Sequence, residues 1–176
     1  MPNARTRFAL GILLVLAAIF ASPAAAGGHG FRHAFGVGLL RTQARSLHVL
    51  RSGTAEMVRL AKRASEPSLG DRDRELLDDR LQALLVGHDS IIDFTQYEGL
   101  TLLDLFGSVT VQQAPGSGQF IDVHTVDVQT ATLGIDALDV TTEATAVYSV
   151  VELTTAFKAL EAELLRNGVE QASLGL

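Results

Sequence analysis

Twenty acidic residues and five histidines are the groups of this chain that could carry proton chemistry. Asp71, Asp73, Asp78 and Asp79 interleave with Arg72, Arg74 and Arg80. General acid/base work needs two carboxyls held in different environments. Close alternation with arginines is instead the pattern of a solvated helix face laced by i,i+3 and i,i+4 pairs. Serine, histidine and aspartate all occur, but no nucleophile motif frames a serine. The glycines of Ala114-Pro115-Gly116-Ser117-Gly118 do not make a phosphate loop, because no Lys-Ser/Thr follows and strand-like runs flank them on both sides. His88 sits among apolar residues at helical spacing with no partner constellation nearby, so it reads as a core or seam histidine satisfied by a neighbour. Cysteine is absent, which excludes disulfides and thiolate metal sites. No catalytic residue, cofactor or small-molecule substrate is expected.

One metal-binding arrangement depends on processing. Arg5 and Arg7 precede an apolar stretch over 8–20, and Ala21-Ser22-Pro23-Ala24-Ala25-Ala26 supplies small residues for cleavage. This reads as a signal peptide over 1–26, cut after Ala26; the apolar stretch is shorter than the roughly 20 residues that span a bilayer. Cleavage there exposes Gly27-Gly28-His29, with His33 four residues on. A free amine, two deprotonable amides and an imidazole form a square plane suited to Cu(II) or Ni(II). The competing reading of 27–38 is a flexible glycine-rich tether. Losing Arg5 and Arg7 takes the net charge from −6 to −8. With no concentrated Lys/Arg face, nucleic acid is not an expected partner. The mature chain is expected outside the cytoplasm, touching the membrane only in transit.

The elements that must position these residues read as three helices and a small β insertion. Between 39 and 65, Leu40, Gln43, Leu47, Leu50, Thr54, Met57, Ala61 and Ala64 recur at three- and four-residue steps, which places them on one helical stripe. Glu66-Pro67-Ser68-Leu69-Gly70 ends that helix. Asp71 and Asp73 suit the positive end of a second helix over 71–94, whose stripe is Leu77, Leu81, Leu84, His88 and Ile91. From about 107 to 140 the pattern changes: Val109, Val111, Phe120, Ile121 and Val123 lie in short β-prone runs around the Pro/Gly loop, a hairpin signature, and 130–139 is a connector. Thr141 or Thr142 can cap a third helix over about 142–166, with Ala146, Val150, Leu153, Phe157, Leu160 and Leu164 on its stripe. The reading is a mainly α chain with a small β-hairpin insertion (α+β): an elongated antiparallel helical rod over 39–176, its three apolar seams buried against one another.

In this order the sequence resembles bacterial flagellin, specifically its inner rod domain. Gly36-Val37-Gly38-Leu39-Leu40-Arg41-Thr42, then Leu47, Met57, Leu60-Ala61 and Ala64-Ser65, resemble the family's first rod helix. Ile91, Thr95, Tyr97, Gly99 and Leu102-Leu103 resemble the second helix and its exit. Thr132-Leu133-Gly134-Ile135 with Leu138-Asp139-Val140-Thr141-Thr142 is similar to the connector before the returning helix, and Gly168-Val169, Gln171 and Leu174 are similar to that helix. Hook-associated junction proteins share this organisation. The resemblance implies a structural subunit without an active site, located in or near a bacterial flagellum, whose partners are itself or other flagellin-like proteins. The alternative is a secreted or periplasmic binding or regulatory module that kept the fold and no longer polymerises. The sequence departs from the family in its signal peptide, in the lack of a stretch matching the outer coiled-coil segments, and in Glu98, which stands where an asparagine usually precedes the glycine. Glu56 stands where the family carries a receptor-contacting arginine, so receptor binding is not implied.

Overall fold

The computed structural model describes residues 28–176, with side chains from His33 onward. Three helices carry it: α1 (Gly28–Ala64), α2 (Asp71–Phe94) and α3 (Glu143–Ser173). Both other helices run antiparallel to α1. Ser46 of α1 meets Thr95 at the exit of α2 while Ala64 meets Arg74, and Leu40 meets Asn167 while Arg51 faces Glu161 on α3. At 1.5 Å per residue, α1 alone is about 55 Å long, so the bundle is a rod.

Between α2 and α3 lie two antiparallel hairpins, β1 (Gln96–Tyr97) with β2 (Leu100–Thr101), and β3 (Asp104–Gln112) with β4 (Phe120–Asp127). In the second, Val109 pairs with Val123 and Gln112 with Phe120, and the register shifts between Asp104 and Gly107. Strands begin earlier than the expected 107, and 128–140 returns to α3 without strand structure. The β1–β2 turn places both Glu98 (φ 50°) and Gly99 (φ 79°) in the left-handed region, as a two-residue primed turn requires. Asparagine tolerates that conformation better than glutamate.

The largest difference from the sequence reading is the start of α1. The expected loose tether over 27–38 is helix from Gly28 on. Glycine is a poor helix former, but here its missing side chain is what allows close packing. A Cβ on Gly38 would overlap the Tyr97 phenol, and one on Gly36 would come within 2.8 Å of Val111. Phe35 meets the Tyr97 ring edge-on, centroids 5.3 Å apart. Tertiary contact thus offsets the local propensity.

The starts of the other two helices follow local rules, while α3 runs on to Ser173, past the expected 166. Asp71 and Asp73 occupy the first turn of α2, and Thr142 caps α3 in a reciprocal box with Thr145. Buried side chains form two clusters. One lies near the strands, with Leu39, Leu40, Leu47, Leu50, Ile92, Val109, Val123 and Leu160. The other lies toward the far end, with Met57, Ala61, Ala64, Leu81, Ile135, Leu138, Val140 and Leu153. Of the seam residues named from the sequence, Leu40, Leu47, Leu50, Met57, Leu81, Leu153 and Leu160 are buried, and Leu77, Leu84, Ile91, Val150, Phe157 and Leu164 are half-buried. All of them point into this one molecule's interior or its margin.

Candidate functional site

Among the described residues the carboxylates and histidines mostly hold backbone or pair with arginines, and one side-chain pair joins an imidazole to a carboxylate, His124 with Glu170. The solvated-face reading of 71–80 is corrected at two positions. Arg74 is buried, and its guanidinium donates to the Ala64 and Glu66 carbonyls, each at 2.9 Å. It therefore satisfies the Ala64 carbonyl at the end of α1 and adds a second donor to the Glu66 carbonyl, which already accepts the Leu69 N–H. Asp78 accepts the Val140 N–H at 2.9 Å.

Asp78 is the first of four residues along one edge of α2 that grip the segment 128–140. Gln82 donates to the Leu138 carbonyl at 2.9 Å. Asp89 accepts the Thr130 N–H at 3.2 Å and its hydroxyl at 2.9 Å. His88 donates from Nε2 to the Val128 carbonyl at 3.0 Å; a carbonyl can only accept, so Nε2 carries the proton. The other ring nitrogen of His88 is buried with no partner. Burial pushes the His88 imidazole below its ordinary value of 6.5, against the Val128 hydrogen bond and the nearby Asp89 charge, which raise it. From α3, Ser149 adds a bond to the Asp139 carbonyl at 2.8 Å. The Thr141 hydroxyl holds the Asp139 carboxyl below the usual carboxylate range.

A second polar set fastens the β3–β4 hairpin. Buried Gln43, on the expected stripe of α1, donates to the Leu102 and His124 carbonyls at 3.3 and 3.0 Å and accepts from Asn167 at 2.7 Å. Glu170 accepts both the His124 N–H at 3.2 Å and its Nδ1 at 2.7 Å. Asn167 and Glu170 carried no signal in the sequence, because a polar residue at a buried helix position is identified only by what faces it. Glu56, the residue at the receptor-contacting position, pairs with Arg59 and bridges to Arg80 on α2 at 3.1 Å.

Among the described residues, a cleft of about 60 Å³ is lined by Leu100, Leu105, Val109 and Thr125, and an open one of about 330 Å³ by Leu138, Asp139, Thr145 and Tyr148. Neither brings a carboxylate together with a histidine or a second carboxylate. The signal segment 1–26 and Gly27 of the copper motif lie outside the described residues, while Gly28 and His29 open α1. Among the described residues no group of three or more His, Asp or Glu could hold a metal, and no helix is long and apolar enough to cross a membrane.

What the outer surface offers is apolar. On α2, Leu76, Val86 and Phe94 are exposed, Phe94 to 85%. On α3, Val147, Tyr148, Val151, Leu165 and Val169 are 52–72% exposed. Tyr148, Val151, Leu165 and Val169 fall on a second helical stripe; Thr155 and Lys158 interrupt it midway, and the small Ala162 resumes it, all three exposed. Apolar periodicity marks the core-facing stripe of each helix and passes over this second one, which polar residues interrupt.

No family model and no curated protein matches the chain. Among solved structures it is similar to the crystal structure of Bacillus cereus flagellin, with a TM-score of 0.76 at 22% identity, over 86% of this chain and 90% of that one. Three helices, the second and third antiparallel to the first, with two small hairpins between those two, laid on that structure over almost its whole length, are a flagellin-like fold.

Proposed function

We propose that this chain is an exported, flagellin-like structural subunit that acts by lateral packing against copies of itself or of related proteins in or near a bacterial flagellum, without catalysis. The observation that carries this reading is the second apolar stripe. The seams predicted from the sequence are spent inside the molecule, so any association must use outward residues, and α3 supplies Tyr148, Val151, Leu165 and Val169. Exposed apolar surface of this kind marks interaction sites. The likeness to flagellin supports the same direction.

Sedimentation velocity of the mature protein over a broad concentration range tests the proposal. Growing assemblies are expected, with a clear reduction in the double variant Tyr148→Glu, Leu165→Glu. A strict monomer at high concentration would sink it and leave the non-polymerising envelope module as the better account. Immunogold labelling that finds the protein on filaments, together with N-terminal sequencing of the exported form, tests the location and the cut after Ala26.

A further inference from the structure

Going beyond that reading, we propose that residues 128–133 form an acid-releasable latch, held to α2 by His88 and Asp89 and freed under mild acid while the helical seams stay packed. The geometry has two parts. The segment has no strand or helix ladder of its own. It is held to α2 through the Val128 carbonyl on His88 and the Thr130 N–H and hydroxyl on Asp89. It is held to the strand side through the Val128 N–H on the Leu103 carbonyl at 3.0 Å, the Gln129 side-chain amide on the Asp104 carbonyl at 2.9 Å and the Val128 side chain in the strand-end core, so release must also open these contacts. Val128 and Thr130 are buried, so the structure describes the latch in its closed state.

His88 is the group that makes it sensitive. Its bond to Val128 uses Nε2, and Nδ1 faces no acceptor. Adding a proton there creates a buried cation with an N–H that nothing receives, whereas in an opened latch water solvates both. The titratable groups around this end are Asp89 on α2 and Asp104 and Asp127 on the strands. Of these Asp89 favours the charged imidazole, acting against burial. Asp89 is already committed to Thr130, so it does not offer Nδ1 a partner.

The sign follows from linkage. The folded imidazole loses its proton more readily than the free one, so the closed state is favoured fully above pH 6.5 and progressively less below it. Each pH unit below that point raises the opening constant by up to about tenfold, until the folded group itself titrates. Downstream, Ile135, Leu138 and Val140 are anchored in the far core, which confines the release to the first half of the connector.

Hydrogen exchange of the full exported chain, followed by mass spectrometry at pH 7.5, 6.5 and 5.5 and corrected for intrinsic rates, reads the latch directly. Peptides covering 128–133 should lose protection by up to about fivefold between pH 6.5 and 5.5 and up to about tenfold between pH 7.5 and 5.5, while those of α1 over 43–64 stay constant. His88→Gln keeps a donor for Val128 but cannot be charged, and should flatten the response. Unchanged protection in the wild type overturns the proposal. So does an equal loss in His88→Gln, which would move the effect to the carboxylates, or a parallel loss in α1, which would mean general unfolding. If the variant does not fold, the His88 Cε1 resonance of the wild type decides: it should remain that of a neutral ring below pH 6.5, and ordinary titration near that value would refute the latch.

Discussion

At the strand end of the rod, the core around Leu47, Leu50 and Leu160 is covered by a hairpin whose two strands satisfy most of each other's backbone. At the far end, the core around Met57, Leu81 and Leu153 is covered by 135–140, which has no ladder. Its groups must be satisfied from outside, and Asp78, Gln82 and Ser149 do so. A sheet therefore needs only a few fasteners, here Gln43 and Glu170, whereas an irregular cover needs one side chain for nearly every buried polar group. The cost of that design is sensitivity to single polar substitutions.

The largest test of this contrast removes one leucine from each core. Leu160→Ala and Leu153→Ala should each cost about 2–5 kcal/mol. If the two cores are one cooperative unit, calorimetry shows a single lowered transition for both; a split transition in either variant would mean that the ends melt separately. Gly38→Ala is next, because the new methyl must displace the Tyr97 ring; a loss of about 1–3 kcal/mol is expected in denaturant titration. The same substitution at Gly53, where nothing lies within 4 Å, should instead stabilise by about 1 kcal/mol. Opposite signs for one chemical change would establish that the strand end, and not helix propensity, fixes Gly38.

At the far end, Asp78→Ala leaves the Val140 N–H without its acceptor and should cost about 1–2 kcal/mol, with faster exchange at Val140 but not at Val123. Equal acceleration at both amides would contradict the distinction between the two covers. The smallest effect is expected from Glu98→Asn, which relieves a left-handed glutamate in the β1–β2 turn. A gain of several tenths to about 1 kcal/mol should appear in the midpoint of thermal unfolding.

Much of the rod was readable in advance, and particular residues show why. The three- and four-residue recurrence of Leu40, Leu47, Leu50 and Met57, or of Leu153 and Leu160, is a local property of a 3.6-residue helix, so periodicity alone finds the buried side. Pro67 and Gly70 mark the break after α1, Thr142 marks the start of α3, and Pro115 with its glycines marks the β3–β4 turn. All act within a few residues of where they stand. Arg74, Asp78 and Asp89 are different. Nothing near them in the chain separates them from their exposed neighbours Arg72, Asp73 and Asp79, since the backbone groups they hold lie 8–62 residues away.

Composition, and spacing within a few turns, were enough to specify the three helices, their inward stripes, the hairpin loop and the absence of any thiol chemistry. Other features were settled only when distant segments met. Glycines 36 and 38 became helical contact points, Arg74 closed the end of α1, α2 gripped the connector, and α3 kept a second apolar stripe in solvent. Those outcomes depend on which surface arrives opposite each residue, and burial and hydrogen-bond partnership are properties of the pair rather than of either member.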